Sequence, residues 1–305
     1  MLVHALAVLV ASYYNHNMKR IVYYQQGQVL LITLLILSLA ITVGLSLVGR
    51  ETINTNISNQ VAESARAFSA AEAGIEESLK SGQDTQGSEV VFAPGLSYKV
   101  SKNQIGGAEG TYIFPKKTNK GLDEVLWLTD HDANGYLVEN AAADYAGSYI
   151  DVCWTDAIPK PAVIVSLLYK RGSSYDVARG AYDPVAGSRS PANNFSAVTD
   201  DTAGCGGSSN TNFRQRIDLP TFISGFDPAS DTLLMARFRP VYSDTQFAVN
   251  TPTGITSKLQ GYSYESSGTT EIGLTRNIIV YQQYRAASSL FDFAVYSQQG
   301  SFRSQ

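Results

Sequence analysis

Oxygen-bearing side chains with the spacing of a calcium loop lie near the middle of the chain. Asp130, Asp132 and Asn134 alternate along the sequence, and Gly135 follows them. In this D-x-D-x-N-G spacing alternate oxygens can converge on Ca²⁺ while the glycine permits a sharp turn. The bidentate Glu of an EF-hand loop would fall at Ala141, so the match is partial. A hairpin turn between the strand-like runs VLWL and YLVE is the favoured interpretation, and Ca²⁺ is the one cofactor the sequence suggests.

Side chains suited to catalysis are few. His4 and His16 lie close to the N-terminus, which leaves His131 inside the acidic turn. The sequence has no G-x-S-x-G elbow, no C-x-x-C pair and no glycine loop for phosphate, and no spacing singles out a pair of carboxylates. We therefore expect a protein that is not an enzyme and has no catalytic residues. A membrane-anchored hydrolase is the weakest of the hypotheses.

Two cysteines, Cys153 and Cys205, are the only thiols available for a disulfide. A bond between them would close a loop of about 50 residues and stabilise the folded domain by roughly 4 kcal/mol in the chain-entropy model. Such bonds persist outside the cytoplasm. The alternative is a buried thiol in the strand-like run YIDVCW and an unrelated thiol in a loop.

An uncharged segment near the N-terminus is the feature around which the chain is organised. Gln28 to Val48 is a run of 21 residues without Asp, Glu, Lys, Arg or His. As a helix it would be roughly 31 Å long, enough to cross the hydrocarbon core of a bilayer. A buried core helix is the alternative. Because Lys19 and Arg20 precede the segment, the positive-inside rule predicts a single pass with a cytoplasmic N-terminus and an extracytoplasmic remainder.

The helix is predicted to continue beyond this span to about Lys80. Apolar residues recur every three or four positions and form one predicted packing face, whereas charged residues such as Glu63 fall mostly off it. The apolar stripe also includes Ala65, Ala71 and Leu79, and its packing face is defined by the larger residues Ile53, Ile57, Val61, Phe68 and Ile75. Lys80 suits the last turn of a helix, and Gly82 suits a left-handed cap that ends it.

The composition of the whole chain favours an exported domain rich in β-structure after the helix. The net charge is −4 and only 16% of the residues are charged, whereas the chain has 18 tyrosines. No basic cluster is present that could displace counterions from phosphates, so nucleic-acid binding is not expected.

Short β-prone runs separated by turn residues follow the helix and predict an antiparallel sheet. They are 90–92, 97–101, 111–114, 124–128, 148–154, 161–169, 175–182, 213–219, 232–238, 246–249 and 271–284. A hairpin turn is predicted at 170–173, and a long loop without periodicity at 186–212. The predicted fold class is α+β, in which a long transmembrane and amphipathic helix precedes a mostly antiparallel β ectodomain.

The N-terminal region resembles that of type IV pilin-like proteins. A short basic leader ends at Gly27, an uncharged helix begins at once, and its extension contains AFSAAEAGIEESL from Ala67 to Leu79. The pattern is similar to minor pilins of the PilX type and to K-type minor pseudopilins of type II secretion. The likeness covers residues 18–82, and its most specific part is AAEAGIE.

The resemblance implies a processing site and an assembly surface. A prepilin peptidase would cut after Gly27 and methylate the new N-terminus at Gln28. Most pilins carry a glutamate at the fifth residue after the cut, but this chain has Ile32, and Gln28 replaces the usual phenylalanine. The missing glutamate is typical of initiating or tip subunits. The assembly residues are Leu30, Leu31, Ile32, Leu34 and Leu35, and the implied partners are other pilin-like subunits, the prepilin peptidase and the inner-membrane assembly platform.

The predicted organisation is a leader over 1–27, a transmembrane helix over 28–48, an amphipathic extension over 49–81 and a β-rich extracytoplasmic domain over 83–305. Residues 1–17 fit neither a leader nor a span, and translation from Met18 would give a compact basic leader. A signal peptide cut near Ala11 is the rival interpretation. The predicted function is a minor subunit of a type IV pilus or related pseudopilus. The alternative is a single-pass anchored adhesin or ligand-binding ectodomain that does not enter filaments.

Overall fold

A computed structural model describes residues 2–140, 144–200, 202–206 and 210–287, with side chains described from residue 28 onward. It contains two helices and thirteen strands over these residues. The helices are α1 (Leu2–Ser81) and α2 (Leu219–Phe222). The strands are β1 (Val90–Ala93), β2 (Leu96–Gly106), β3 (Thr111–Ile113), β4 (Glu124–Trp127), β5 (Tyr149–Trp154), β6 (Ala162–Arg171), β7 (Ser174–Asp183), β8 (Ser196–Ala197), β9 (Phe213–Asp218), β10 (Asp231–Val241), β11 (Phe247–Asn250), β12 (Leu259–Thr270) and β13 (Thr275–Gln283).

Helix α1 is continuous from Leu2 to Ser81, so it includes the predicted helix from 28 to 80 and begins well before it. It ends where the sequence predicted. Gly82 adopts the left-handed conformation, with φ of +70°, and its N–H donates to the Ser78 carbonyl at 2.8 Å. A residue with a Cβ would be strained in that conformation.

The chain divides into two compact units. The first consists of Met1–Ala73, Val90–Tyr98 and Ser267–Arg276, and the second consists of Gly74–Glu89, Lys99–Ser266 and Asn277–Gln305. The strands form three sheets, in the orders β1-β2-β12-β13, β4-β10-β6-β7-β8 and β3-β11-β5-β9. The pairs within the last two sheets are antiparallel except for β7 with β8. The fold is thus one long helix followed by a mostly antiparallel β-sheet domain.

The hydrophobic core of the second unit lies between its five-stranded sheet and the sheet β3-β11-β5-β9. Alternate residues of β6, such as Val163 and Val165, and of β5, such as Val152 and Trp154, belong to one buried cluster. This alternation follows from the two-residue period of a strand, which places every second side chain on the same face. The two sheets therefore pack as a sandwich.

Most of the predicted strands coincide with observed ones, and the hairpin predicted at 170–173 is present. There Arg171 pairs with Ser174 across the turn between β6 and β7. The prediction missed β12, and it missed the two-residue strand β8 inside the loop predicted at 186–212. It was also wrong for the start of the run 271–284, where residues 271–274 form the turn between β12 and β13.

The described part of the predicted loop 186–212 is attached to the second unit by ion pairs. Arg189 pairs with the fully buried carboxylate of Asp183, which also accepts a hydrogen bond from Asn193 Nδ2 at 2.6 Å. Burial alone would raise the pKa of Asp183. The hydrogen bonds that its carboxylate accepts, from Arg189 and from other donors, outweigh burial, so the pKa of Asp183 is lowered overall. This charge network fixes the start of the loop.

Candidate functional site: the exposed apolar helix

The uncharged segment Gln28–Val48 lies on α1 with all of its side chains exposed. The helix over Gln28–Ser81 is long and apolar enough to cross a membrane, and none of its most apolar stretch is buried within the chain. A contiguous apolar surface of this size is not stable against water. It therefore needs a covering of lipid or of protein.

The predicted assembly residues all belong to this exposed segment. They are Leu30, Leu31, Ile32, Leu34 and Leu35. The proposed processing residues Gly27 and Gln28 lie inside α1, with helix on both sides of them. Processing and assembly stay predictions.

The predicted packing face of the helix is wrong at four of its five positions. Ile53, Ile57, Val61 and Phe68 are exposed, and Phe68 retains 46% of its accessible surface. Only Ile75, with 7% exposure, is buried. The buried residues of the extension are instead Ala67, Ala70, Ala71, Gly74, Ile75 and Ser78. They recur at helical spacing, but the face that they form is rotated away from the bulky residues and consists largely of small ones.

Close contact between α1 and β12 within the first unit explains why the buried residues are small. A Cβ atom added at Gly268 would overlap the Ala67 carbonyl oxygen and lie 2.5 Å from the Ala71 nitrogen. The backbones therefore approach closely only because Gly268 has no side chain and the facing helix residues are alanines. Arg276 on β13 adds a polar contact, since its Nε donates to Ser64 Oγ at 2.7 Å. The run of small residues in AAEAG was the sequence signal for this contact.

Cys153 and Cys205 are joined by a disulfide, with their Cα atoms 5.6 Å apart. Cys153 lies in β5, and Cys205 lies in the segment that precedes β9. The bond closes a loop with a sequence separation of 52 residues.

The two carboxylates of the proposed calcium site, Asp130 and Asp132, have protein partners. Asp132 Oδ1 accepts hydrogen bonds from the amides of Asn134 and Tyr136, at 2.8 and 2.9 Å, and Asp130 pairs with Lys258 Nζ at 3.2 Å. Over the described ranges 2–140, 144–200, 202–206 and 210–287, no group of three or more His, Cys, Asp or Glu side chains could hold a metal ion. Backbone hydrogen bonds within the loop, such as the one from Asp132 N to the Tyr136 carbonyl, close it as a turn, as predicted. The strand before the turn, β4, pairs with β10 and not with the residues after the turn.

His131 packs among aromatic rings next to this turn. Its imidazole stacks on Tyr284, with ring centroids 3.8 Å apart, and meets Trp127 edge-on at 4.7 Å. Burial lowers the pKa of His131, and the neighbouring Asp130 and Asp132 oppose that shift. Nδ1 is buried and has no hydrogen-bond partner within the part of the chain that the structure describes.

Comparison with known proteins adds no family to these observations. No protein-family model matches the chain, and no curated protein matches it.

Proposed function

We propose that the chain is a membrane-anchored, pilin-like minor subunit that assembles through its N-terminal helix. The observation that carries the proposal is the exposed, uncharged segment Gln28–Val48, which continues without a break into a helix with a small-residue face. Such a segment can be stored in a bilayer and later buried among the helices of neighbouring subunits.

Assembly would exchange lipid contacts for helix contacts. Because lipid tails are as apolar as leucine, side-chain packing rather than hydrophobicity determines how strongly the helices associate. Leu30, Leu31, Leu34 and Leu35 project from the helix with large exposed surfaces and would make these contacts. The β-sheet domain would remain displayed outside the membrane, where its disulfide is stable.

Processing at Gly27 distinguishes this proposal from an ordinary membrane anchor. A β-branched side chain at the residue before the cut should block the close backbone approach that a peptidase requires. Gly27→Val should therefore leave the full-length protein inserted but uncut when it is produced together with the cognate prepilin peptidase. The mature wild-type protein should begin at Gln28 and carry an N-methyl group. N-terminal sequencing and intact-mass measurement test both statements.

Gly49→Val is the matched control, because it makes the same change on the same helix, where no neighbouring atom lies within 4 Å of an added Cβ. We expect this variant to be cut like the wild type. A wild-type protein that retains its N-terminus in the presence of the peptidase, or a Gly27→Val variant that is cut at the normal rate, would contradict the proposal and favour an anchored ectodomain that does not enter filaments.

A further inference from the structure

Two adjoining cavities lie on the surface of the second unit. The larger has a volume of about 210 Å³, and its lining includes Glu124, Val125, Trp127 and Gln283. The smaller, of about 120 Å³, is lined by Pro115, Lys116, Glu124, Tyr281 and Gln283. Both cavities have Glu124 and Gln283 in their lining, so they are neighbours. Together we call them the Glu124 cleft.

The charges around the Glu124 cleft favour a neutral ligand. Glu124 is partly buried, and its Oε2 accepts a hydrogen bond from Thr118 Oγ1 at 2.9 Å. Lys116 brings a positive charge to the same lining. Lys116 and Glu124 carry opposite charges in the same lining, so the cleft offers no net charge that would favour a charged ligand over a neutral one. The adjacent Asp123 is neutralised by Arg239 in a bidentate pair with both distances at 2.8 Å.

The hydrogen-bonding groups of the cleft suit a ligand that both donates and accepts. Beside the pairing of β4 with β10, the Leu128 N–H donates to the Leu234 carbonyl. The N–H and C=O of the preceding residue, Trp127, therefore point away from β10, and both are hydrogen-bonded by the side-chain amide of Gln260. Val125, two residues earlier, points its N–H and C=O to that same side and lines the larger cavity. The Gln283 amide adds another donor and acceptor.

An aromatic ring provides the apolar side of the cleft. Tyr281 lines the smaller cavity and retains 41% of its accessible surface. Its ring offers a flat apolar face beside polar groups. Pockets for drug-sized ligands measure about 300–1,000 Å³, so each of these cavities suits a single small ring.

We propose that the Glu124 cleft binds a neutral saccharide through a pyranose ring that packs against Tyr281. Sugar hydroxyls both donate and accept hydrogen bonds, which matches Glu124, Gln283 and the backbone of Val125. The C–H face of a pyranose ring matches the ring of Tyr281. The proposal does not depend on filament assembly, because every residue that lines the cleft lies in the second unit, far along the chain from the apolar segment.

Saturation-transfer difference NMR on the full-length protein tests the proposal. The protein is held in lauryldimethylamine oxide micelles, because detergents with sugar head groups would compete for the cleft. The probes are the methyl glycosides of glucose, galactose, mannose and N-acetylglucosamine. We expect saturation transfer to the ring protons of at least one of them. Glucuronate and glucosamine, which carry opposite charges, should each give a weaker signal than their neutral counterpart.

Tyr281→Ala should reduce the signal at least fivefold, because it removes the aromatic ring against which the sugar packs. Tyr136→Ala is the matched control: this tyrosine is 72% exposed and lies outside both cavities, so its removal should leave the signal unchanged. Circular dichroism of both variants checks that the fold is kept. Absence of transfer to all four glycosides, equal signals from the two variants, or stronger binding of a charged sugar would overturn the proposal.

Discussion

Asp144 carries a carboxyl group whose protonation is coupled to folding. The group is partly buried beside β10, and its Oδ2 accepts a hydrogen bond from the Leu233 amide at 2.9 Å. Burial outweighs that hydrogen bond and the charge of Lys258, and it raises the pKa of Asp144 from 3.8 to about 6. The folded protein therefore holds this proton more tightly than the unfolded chain does. The stabilisation that comes from protonated Asp144 is therefore complete below about pH 4, and it is lost as the pH rises through about 6.

Replacing Asp144 by Asn should make the protein relatively more stable at neutral pH, because the amide keeps an acceptor for Leu233 but cannot ionise. We expect the melting temperature of Asp144→Asn to rise relative to that of the wild type as the pH increases from 4 to 7. Thermal unfolding of the two proteins in parallel measures this difference. Asp156→Asn, at an exposed carboxylate that pairs with Lys160, should show no comparable trend. If the melting temperatures of Asp144→Asn and the wild type changed with pH in parallel, Asp144 would have the same pKa in the folded and the unfolded chain.

At the scale of the elements, the contact between α1 and β12 depends on small residues. Ala71 is fully buried against Gly268, whereas Phe68 points largely into solvent. Ala71→Leu should force the helix and the strand apart and destabilise the first unit by about 1–3 kcal/mol. Phe68→Ala, one turn away, removes a larger side chain but should change the stability by less than about 1 kcal/mol.

Hydrogen exchange of the amides in β12 and in residues 64–71 measures both effects on the full-length protein. Faster exchange in Ala71→Leu but not in Phe68→Ala is the expected result. The reverse order would mean that the bulky stripe, and not the alanine face, is the side that packs.

The same contact shows where the sequence was informative and where it was not. The end of α1 was predictable because Gly82 alone signals a left-handed cap, and the β6–β7 hairpin was predictable because a glycine and a serine separate two alternating runs. Strand β12 was missed because its buried positions include Ser266, Gly268 and Thr270, which give no hydrophobic alternation. The helix face was misassigned because it was defined by the bulky residues of the apolar stripe, whereas close backbone approach selects alanine and glycine, such as Ala71 within that stripe and Ala67, Ala70 and Gly74 beside it.

The Glu124 cleft could not be predicted from the sequence, because the residues that line it are far apart along the chain. Its lining comes from β4, β12, β13 and the residues that follow β3, which are separated by as much as about 170 positions along the chain. No short motif links such residues, and only the pairing of the strands brings them together. The disulfide partners, in contrast, were identifiable from the sequence because the chain has no third cysteine.

For the whole molecule, the proposed function raises the question of how often the chain would be incorporated into a filament. Ile32, which is 49% exposed on the free chain, occupies the position at which the pilin resemblance places a glutamate. A filament of this subunit alone would leave each N-terminal ammonium unpaired in an apolar bundle, at a cost of several kcal/mol. The amine that the proposed cleavage would expose at Gln28 could still pair with the carboxylate of a different subunit, so the proposal allows entry at the initiating or tip end and disfavours repetition.

We therefore expect quantitative mass spectrometry of sheared filaments to find only trace amounts of the wild-type chain, and its loss to reduce the number of filaments. Ile32→Glu should raise the incorporated amount several-fold, because it supplies the carboxylate that a neighbouring ammonium requires. Ile36→Glu is the matched control: Ile36 is 58% exposed and lies about one helical turn further on, where a carboxylate would add the same cost of burial without reaching the amine. It should lower incorporation below that of the wild type. Recovery of the wild-type chain in amounts equal to the principal subunit would contradict this account, as would equal responses to the two glutamates.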